Sequence, residues 1–249
     1  MYVIGYPKSG NTWLCFLLAY CLNTEYDDVD APGVHPTNEY QRCYVKGGLK
    51  HDSYRSQIGQ VLKTHSIKNL PSSEPTVYLI RDGRDVMVSY YFFRRNYLKR
   101  SQIHTPPLWK KWLRKVRGLF GGSRPDAASQ DFSTFLRHHT LEWLDHVSTW
   151  LARNPTAVVR YEDLKRNPQA TLIQLFDRLE VAVNPEVIQQ ALDIFDFKQL
   201  SQRKAGEEDS SSFFRKGIVG DWENHFTAED LKFFQSQATE TMRQVGYDI

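Results

Sequence analysis

The sequence predicts an α/β fold: a single domain with a central parallel β-sheet flanked by helices. Two observations carry this. Short apolar runs alternate with segments of helical period, the pattern of strands buried on both faces and joined by helical crossovers. A glycine-bounded loop, Gly5-Tyr-Pro-Lys-Ser-Gly10-Asn-Thr12, separates the first such run from the first helical segment. No internal repeat or low-complexity segment interrupts the scheme, so residues 1–249 read as one domain.

The elements follow in order. Tyr2-Val3-Ile4 is a short strand ending at Gly5, and the apolar stretch from about Thr12 to Leu22 is a helix. Val61-Leu62-Lys63-Thr64 is a second strand, and Val77-Tyr78-Leu79-Ile80 a third that runs into a helix from about Asp85 to Arg95. Phe132, Phe135, Leu136, Trp143, Leu144, Val147 and Trp150 or Leu151 recur at three and four, one buried helical face. Ala157-Val158-Val159-Arg160 is a fourth strand. Asn167-Pro168 starts a helix that turns Leu172, Leu175, Phe176 and Leu179 inward. Thr227 caps a last helix with Leu231, Phe234, Ala238 and Met242 on its inner face.

Composition narrows the function. With 32 Lys+Arg against 29 Asp+Glu, the net charge of +3 gives no bulk attraction to nucleic acid or to an anionic membrane. The apolar run Trp13–Leu22 is too short to cross a bilayer. The amino end lacks the basic flank and apolar core of a signal peptide. Three cysteines, Cys15, Cys21 and Cys43, make neither a disulfide framework nor a metal knot. A reduced, cytoplasmic protein without a metal is the expectation.

The loop carries the chemistry. Successive backbone N–H groups ahead of a helix, together with the positive end of its dipole, cradle an anion. The Gly-to-Gly spacing and the final Thr match the P-loop of nucleotide hydrolases, yet Asn11 stands where those proteins place Lys. Lys8 lies inside the loop instead. A phosphoryl group in transfer is usually neutralised by Mg²⁺ and the P-loop Lys together. A sulfuryl group carries about one negative charge less, so a lysine and backbone donors can suffice. The third strand also ends in Ile80-Arg81, a cation where a metal-dependent kinase often places an acid.

Tyr6-Pro-Lys-Ser-Gly-Asn-Thr-Trp13 resembles the 5′-phosphosulfate loop of the cytosolic-type sulfotransferases, which use 3′-phosphoadenosine 5′-phosphosulfate (PAPS) and release 3′-phosphoadenosine 5′-phosphate (PAP). Further segments match in family order: Lys63-Thr-His65, Arg81-Asp-Gly-Arg-Asp-Val-Met-Val-Ser89-Tyr-Tyr, Tyr161-Glu-Asp and Phe214-Arg-Lys-Gly217-Ile-Val-Gly-Asp-Trp222. The resemblance implies a P-loop-like sulfotransferase fold and a site without metal. It implies His65 as the base that takes the acceptor's proton. Lys8 and Lys63 would stabilise charge on the leaving phosphate, and Ser89 would restrain Lys8 until the acceptor arrives. Lys8, Ser9, Gly10, Asn11 and Thr12 would hold the 5′ end of the donor. Arg81, Ser89, Arg215, Lys216 and Gly217 would hold the 3′-phosphate, with Trp13, Tyr161 and Phe197 around the adenine.

Three departures stand out. The family usually has a few dozen residues before this loop. It often has Thr-Ser-Phe where this chain reads Phe195-Asp196-Phe197, and His-Leu-Pro where it reads His65-Ser-Ile. No short C-terminal dimer motif is recognisable, so no oligomeric state carries over. Two excursions are candidate walls for a small-molecule acceptor. Residues 23–41 contain five acids and no Lys or Arg; residues 96–131 contain a basic amphipathic stretch around Trp109, Trp112, Leu113, Val116 and Phe120, read first as a lid, with a polyanion site or a membrane-surface contact as the alternatives. A small-molecule kinase and a non-catalytic nucleotide- or glycan-binding module are the rival readings.

Overall fold

The computed structural model describes residues 1–30, 58–66, 70, 73–97, 131–209, 212 and 214–249. Most of the acidic excursion and nearly all of the basic amphipathic one lie outside these residues. In chain order the elements are β1 (Tyr2–Ile4), α1 (Asn11–Cys21), β2 (Glu25–Asp28), β3 (Gln60–Thr64), β4 (Thr76–Ile80), α2 (Gly83–Phe92), α3 (Phe132–Ala152) and β5 (Ala157–Arg160). They continue with α4 (Tyr161–Arg166), α5 (Pro168–Arg178), α6 (Pro185–Ile194), α7 (Phe197–Ser201) and α8 (Ala228–Gln244). The chain forms two compact units, Met1–Ile80 with Arg153–Ala205, and Arg81–Ala152 with Gly206–Ile249.

The first unit contains a five-stranded sheet in the order β2-β3-β1-β4-β5, parallel throughout. β1 sits in the middle, with Tyr2 opposite Leu62 of β3 on one side and Thr76 of β4 on the other. The strand order reverses there, and the carboxyl end of such a strand is where α/β sheets bind ligands. Val77, Tyr78, Leu79 and Ile80 are all buried, as a strand covered on both faces requires. β5 is an edge strand and alternates, with Val158 exposed between buried Ala157 and Val159.

The strand β2 was not predicted. Glu25-Tyr-Asp-Asp28 offers one apolar side chain, Tyr26, which is buried edge-on against Phe16 with ring centroids 5.6 Å apart. Its place is set by the backbone ladder to β3, Glu25 opposite Gln60 through Asp28 opposite Lys63. Tertiary pairing overrides a polar composition in such an edge strand. Helix α1 is apolar on nearly every side, and every residue in it except Trp13 is buried, so it acts as a core helix rather than a surface one. The apolar face of α5 points inward, with Leu172, Leu175 and Phe176 buried and Leu179 at the cap. The helices α4, α6 and α7 went unpredicted. Asn184 and Asp196 cap the last two, accepting from the backbone N–H of Glu186 and Lys198.

In the second unit, α3 buries Phe135, Leu136, Trp143, Val147 and Trp150. Phe132 and Leu144, expected inside, are half-buried. Trp143 meets Phe234 of α8 at 6.1 Å between ring centroids. α8 opens with a capping box in which Thr227 and Asp230 exchange side-chain and backbone hydrogen bonds. Leu231, expected on its inner face, is half-buried, whereas Phe234, Ala238 and Met242 are fully inside. α2 begins two residues earlier than its apolar pattern because Asp82 caps it, accepting from Arg84 N–H. It ends at Phe92 and passes into a π-helical turn, Phe93–Tyr97, instead of running straight to Arg95.

Candidate active site

The phosphate-loop residues lie between β1 and α1, at the carboxyl end of the central strand. Gly10 precedes α1 with φ 103°, and no side chain caps the helix. The first N–H groups of a helix have no intrahelical partner, so this end keeps its donors for a ligand. A methyl group at Gly10 would come within 2.7 Å of the Tyr161 ring. Glycine is required there both for the backbone angle and for the ring. At Gly5 a methyl group would meet the Leu79 carbonyl oxygen at 2.5 Å. Lys8 has φ 72°, in the left-handed region. For a side chain of this size that conformation costs on the order of 1 kcal/mol and clusters at binding sites. Ser9 Oγ and Asn11 Oδ1 are buried and have no hydrogen-bond partner among the described residues. Buried polar atoms left in this state fit a loop built around a polar ligand.

The carboxyl end of β3 adjoins this loop. His65 Nδ1 lies 2.6 Å from the Gly5 carbonyl oxygen. A carbonyl only accepts, so Nδ1 carries the proton and Nε2 the lone pair. Asn11 Nδ2 donates to the same carbonyl at 3.0 Å, which ties loop, helix and histidine to one atom. Burial first, and the Lys63 ammonium second, push the His65 pKa below its ordinary value, against Asp30, the Gly5 carbonyl and Asp28. The ring is therefore neutral at pH 7, as a general base must be. Lys63 is buried and forms an ion pair with Asp28.

Trp13 is oriented by its indole N–H, which donates to the Phe195 carbonyl oxygen at 2.9 Å. Tyr161 meets it edge-on with centroids 6.1 Å apart, and the Lys165 ammonium lies 5.4 Å from its ring centroid. Phe195, rather than Phe197, is the residue joined to Trp13; it is fully buried against Phe16 and Tyr20. Phe197 is half-buried, with the Arg203 guanidinium 5.8 Å from its ring. The first unit thus brings together Lys8 through Trp13, Lys63, His65 and Tyr161, and puts Phe197 at the start of α7.

The second unit holds Arg81, Ser89, Arg215, Lys216 and Gly217. Arg81 follows β4, and its guanidinium donates to the Ile218 carbonyl oxygen at 3.1 Å and lies 3.4 Å from Asp85. Asp85 is 1% exposed and accepts from the backbone N–H of Gly220 at 2.8 Å and of Trp222 at 3.0 Å. One carboxylate thus fastens the closing segment to the first turn of α2. Ser89 is buried on α2. Arg215 pairs with Glu208 at 3.0 Å and with Asp221, and its guanidinium carbon lies 4.9 Å from the Phe92 ring centroid. Lys216 bridges Asp221 at 2.7 Å and Glu208 at 3.2 Å. Burial alone would raise the Asp221 carboxyl, but the hydrogen bonds from Lys216 and Arg215 prevail and hold it at about 2. Gly217 has φ 66°, which suits a backbone turn at this point.

The roles of five acids escaped the sequence reading: Asp28, Asp30, Glu208, Asp85 and Asp221. The last two had a legible signal. Asp85 stands four residues after Arg81 at a helix start, and Asp221 lies within the matched Arg215–Trp222 segment. Asp28 and Asp30 had none, because the partners they find are 34 or 35 residues away in sequence.

Comparison with known proteins points to one family. The sulfotransferase domain family matches residues 1–246. Mouse sulfotransferase 1 family member D1 is 25% identical over 260 residues, covering 95% of this chain and 81% of that protein. Human sulfotransferase 2A1 is 26% identical over 270 residues, covering 98% and 85%. The crystal structure of mouse sulfotransferase SULT7A1 complexed with PAP superposes with a TM-score of 0.65 at 21% identity, covering 98% of this chain and 83% of that one. A glycine loop with an internal lysine, a neutral histidine on its first carbonyl and a family match across nearly every residue converge: this chain belongs to the sulfotransferase family.

Proposed function

We propose that residues 1–249 act as one catalytic domain that transfers the sulfuryl group of PAPS to a hydroxyl or amine of a small-molecule acceptor. The observation that carries the reading is His65, held by the Gly5 carbonyl with its lone pair on Nε2, at the edge of a loop whose buried Ser9 and Asn11 oxygens await partners. A neutral imidazole there takes the acceptor's proton. The donor, when bound, supplies an activated sulfuryl group on a phosphate leaving group.

Lys8 and Lys63 stabilise the charge that develops on that phosphate, and the backbone from Lys8 to Thr12 orients its oxygens. Arg81, Ser89, Arg215, Lys216 and the Gly217 backbone serve the 3′-phosphate, for which a guanidinium is suited by its paired donors. Trp13 provides the face for adenine, with Tyr161 and Phe197 bordering it.

The mouse structure with bound PAP supports this choice of donor. No helix among the described residues is long and apolar enough to cross a membrane. Cys15 and Cys21 are free and buried, which accords with a reducing, cytoplasmic setting.

The test is a panel of alcohols, phenols, sugars and amines with sulfur-labelled PAPS, with and without a chelator. Label transfer unchanged by chelation is the expected result. Calorimetry with PAP and with magnesium ATP provides the counter-test: tight ATP binding with none for PAP would overturn the proposal.

A further inference from the structure

The acids at the end of β2 are absorbed neither by the sheet ladder nor by the roles above. Asp28 is 6% exposed and Lys63 7%, so their ion pair is shielded from water. Two charges at such a depth persist only in company, and removal of one leaves the other stranded. The register places Asp28 directly opposite Lys63. Asp28 also accepts the Asp30 N–H at 3.0 Å, in a tight side-chain turn. Asp30 then reaches the next residues of β3. Its carboxylate accepts the backbone N–H of His65 at 2.6 Å and the Thr64 hydroxyl at 3.2 Å. Lys63 in β3 and His65 just beyond its end are therefore each secured by an acid from one neighbouring segment.

We propose that Asp28 and Asp30 are positioning residues, Asp28 fixing the Lys63 ammonium and balancing its charge, Asp30 fixing the backbone of His65. What Lys63 and His65 do rests on the sulfuryl-transfer reading; that they are held by these acids does not. The sequence of β2 supports the assignment. Glu-Tyr-Asp-Asp is poor material for a strand, and repulsion between neighbouring acids is relieved where one of them meets a buried cation.

Among the described residues the charged groups facing His65 are Lys63 from its own strand and Asp28 and Asp30 from the end of β2. From the loop and α1 the neutral Gly5 carbonyl and the Asn11 amide also face the ring. Lys63 drives the imidazole toward its neutral form, and Asp28 partly cancels that push. Without Asp28 the bare ammonium would depress His65 further and would lose its fixed position.

The experiment uses the full chain with D28N, D28E and D30A, and E25Q as control, since Glu25 is exposed on the same strand. In D28N the His65 titration midpoint, followed by NMR with ¹³C-labelled histidine, should move down by about half a pH unit or more. Turnover should fall about tenfold or more while PAP affinity stays within about twofold, and D28E should recover most of both. D30A should lower kcat about tenfold at nearly unchanged KM, and E25Q should match the parent throughout. Should D28N not fold, D28E and D30A decide on the same readouts. An unmoved His65 midpoint in D28N with full turnover in D30A overturns the proposal. If the parent transfers sulfate to no acceptor, the functional reading fails, yet the histidine midpoint still decides whether Asp28 balances Lys63.

Discussion

Lys63 in the first unit and Arg215 with Lys216 in the second are all buried or nearly so, and all held by acids, but they are held differently. Among the described residues Lys63 pairs with one carboxylate, Asp28. Arg215 and Lys216 share two, Asp221 and Glu208, each bonding to both. A cation with a single partner has its position and charge decided by one residue. A pair with shared partners keeps half its bonds when either acid is lost or turned to a ligand, and a guanidinium has donors enough to serve a carboxylate and a phosphate together. The first arrangement suits a lysine that must act at one atom, the second a grip on a multiply charged group.

Substitutions can break this contrast. The largest expected effect is at His65, where His65→Ala should lower turnover about 10²-fold or more with the donor still bound. Near-normal rates with a verified acceptor would remove it as the base. Next is Gly10→Ala, which meets both the positive φ and the Tyr161 ring. Strain of about 1–3 kcal/mol should weaken PAP binding by roughly tenfold to a hundredfold in calorimetry. Arg215→Ala should weaken PAP about tenfold, the scale of one charge-assisted contact, with kcat at saturating donor little altered. A collapse of kcat instead would erase the distinction between the two regions.

The smaller effects sharpen it through pH. Folded His65 titrates below the ordinary value of about 6.5, so between those pH values the unfolded chain binds more protons. Its contribution to stability is complete above about 6.5 and declines as pH falls toward the folded value, and the acid limb of the rate profile should lie below 6.5. Asp221 behaves at the far end of the scale. Its contribution is complete above about pH 4 and is lost as pH falls through about 2. Acid melting curves of D221N and the parent should converge there and separate at neutral pH.

Much of this was legible in advance, for definable reasons. β1, β3, β4 and β5 announce themselves by short apolar runs, most plainly β4, which is buried on both faces and apolar from Val77 to Ile80. The loop does so because close backbone turns leave glycine little substitute. The lysine moved inside the loop is a local fact of sequence, and so is Thr227 ahead of the last helix. β2 was illegible, since one tyrosine among acids carries no strand pattern. The bonds from Asp28 and Asp30, in the described part of the acidic stretch, to Lys63, Thr64 and His65 were illegible too, because they span 34 or 35 residues. The bond from the Trp13 indole to the Phe195 carbonyl was illegible because nothing in the sequence says which carbonyl will meet that N–H.

The sequence by itself determined the fold class, the anion loop, its missing P-loop lysine and the histidine behind it, because each is written in neighbouring residues and their spacing. Tertiary structure alone decided which carboxylate answers which cation, which tautomer His65 adopts and which carbonyl orients Trp13. Those are pairings across tens of residues, and they exist only once the sheet register has brought distant backbone into hydrogen-bonding range.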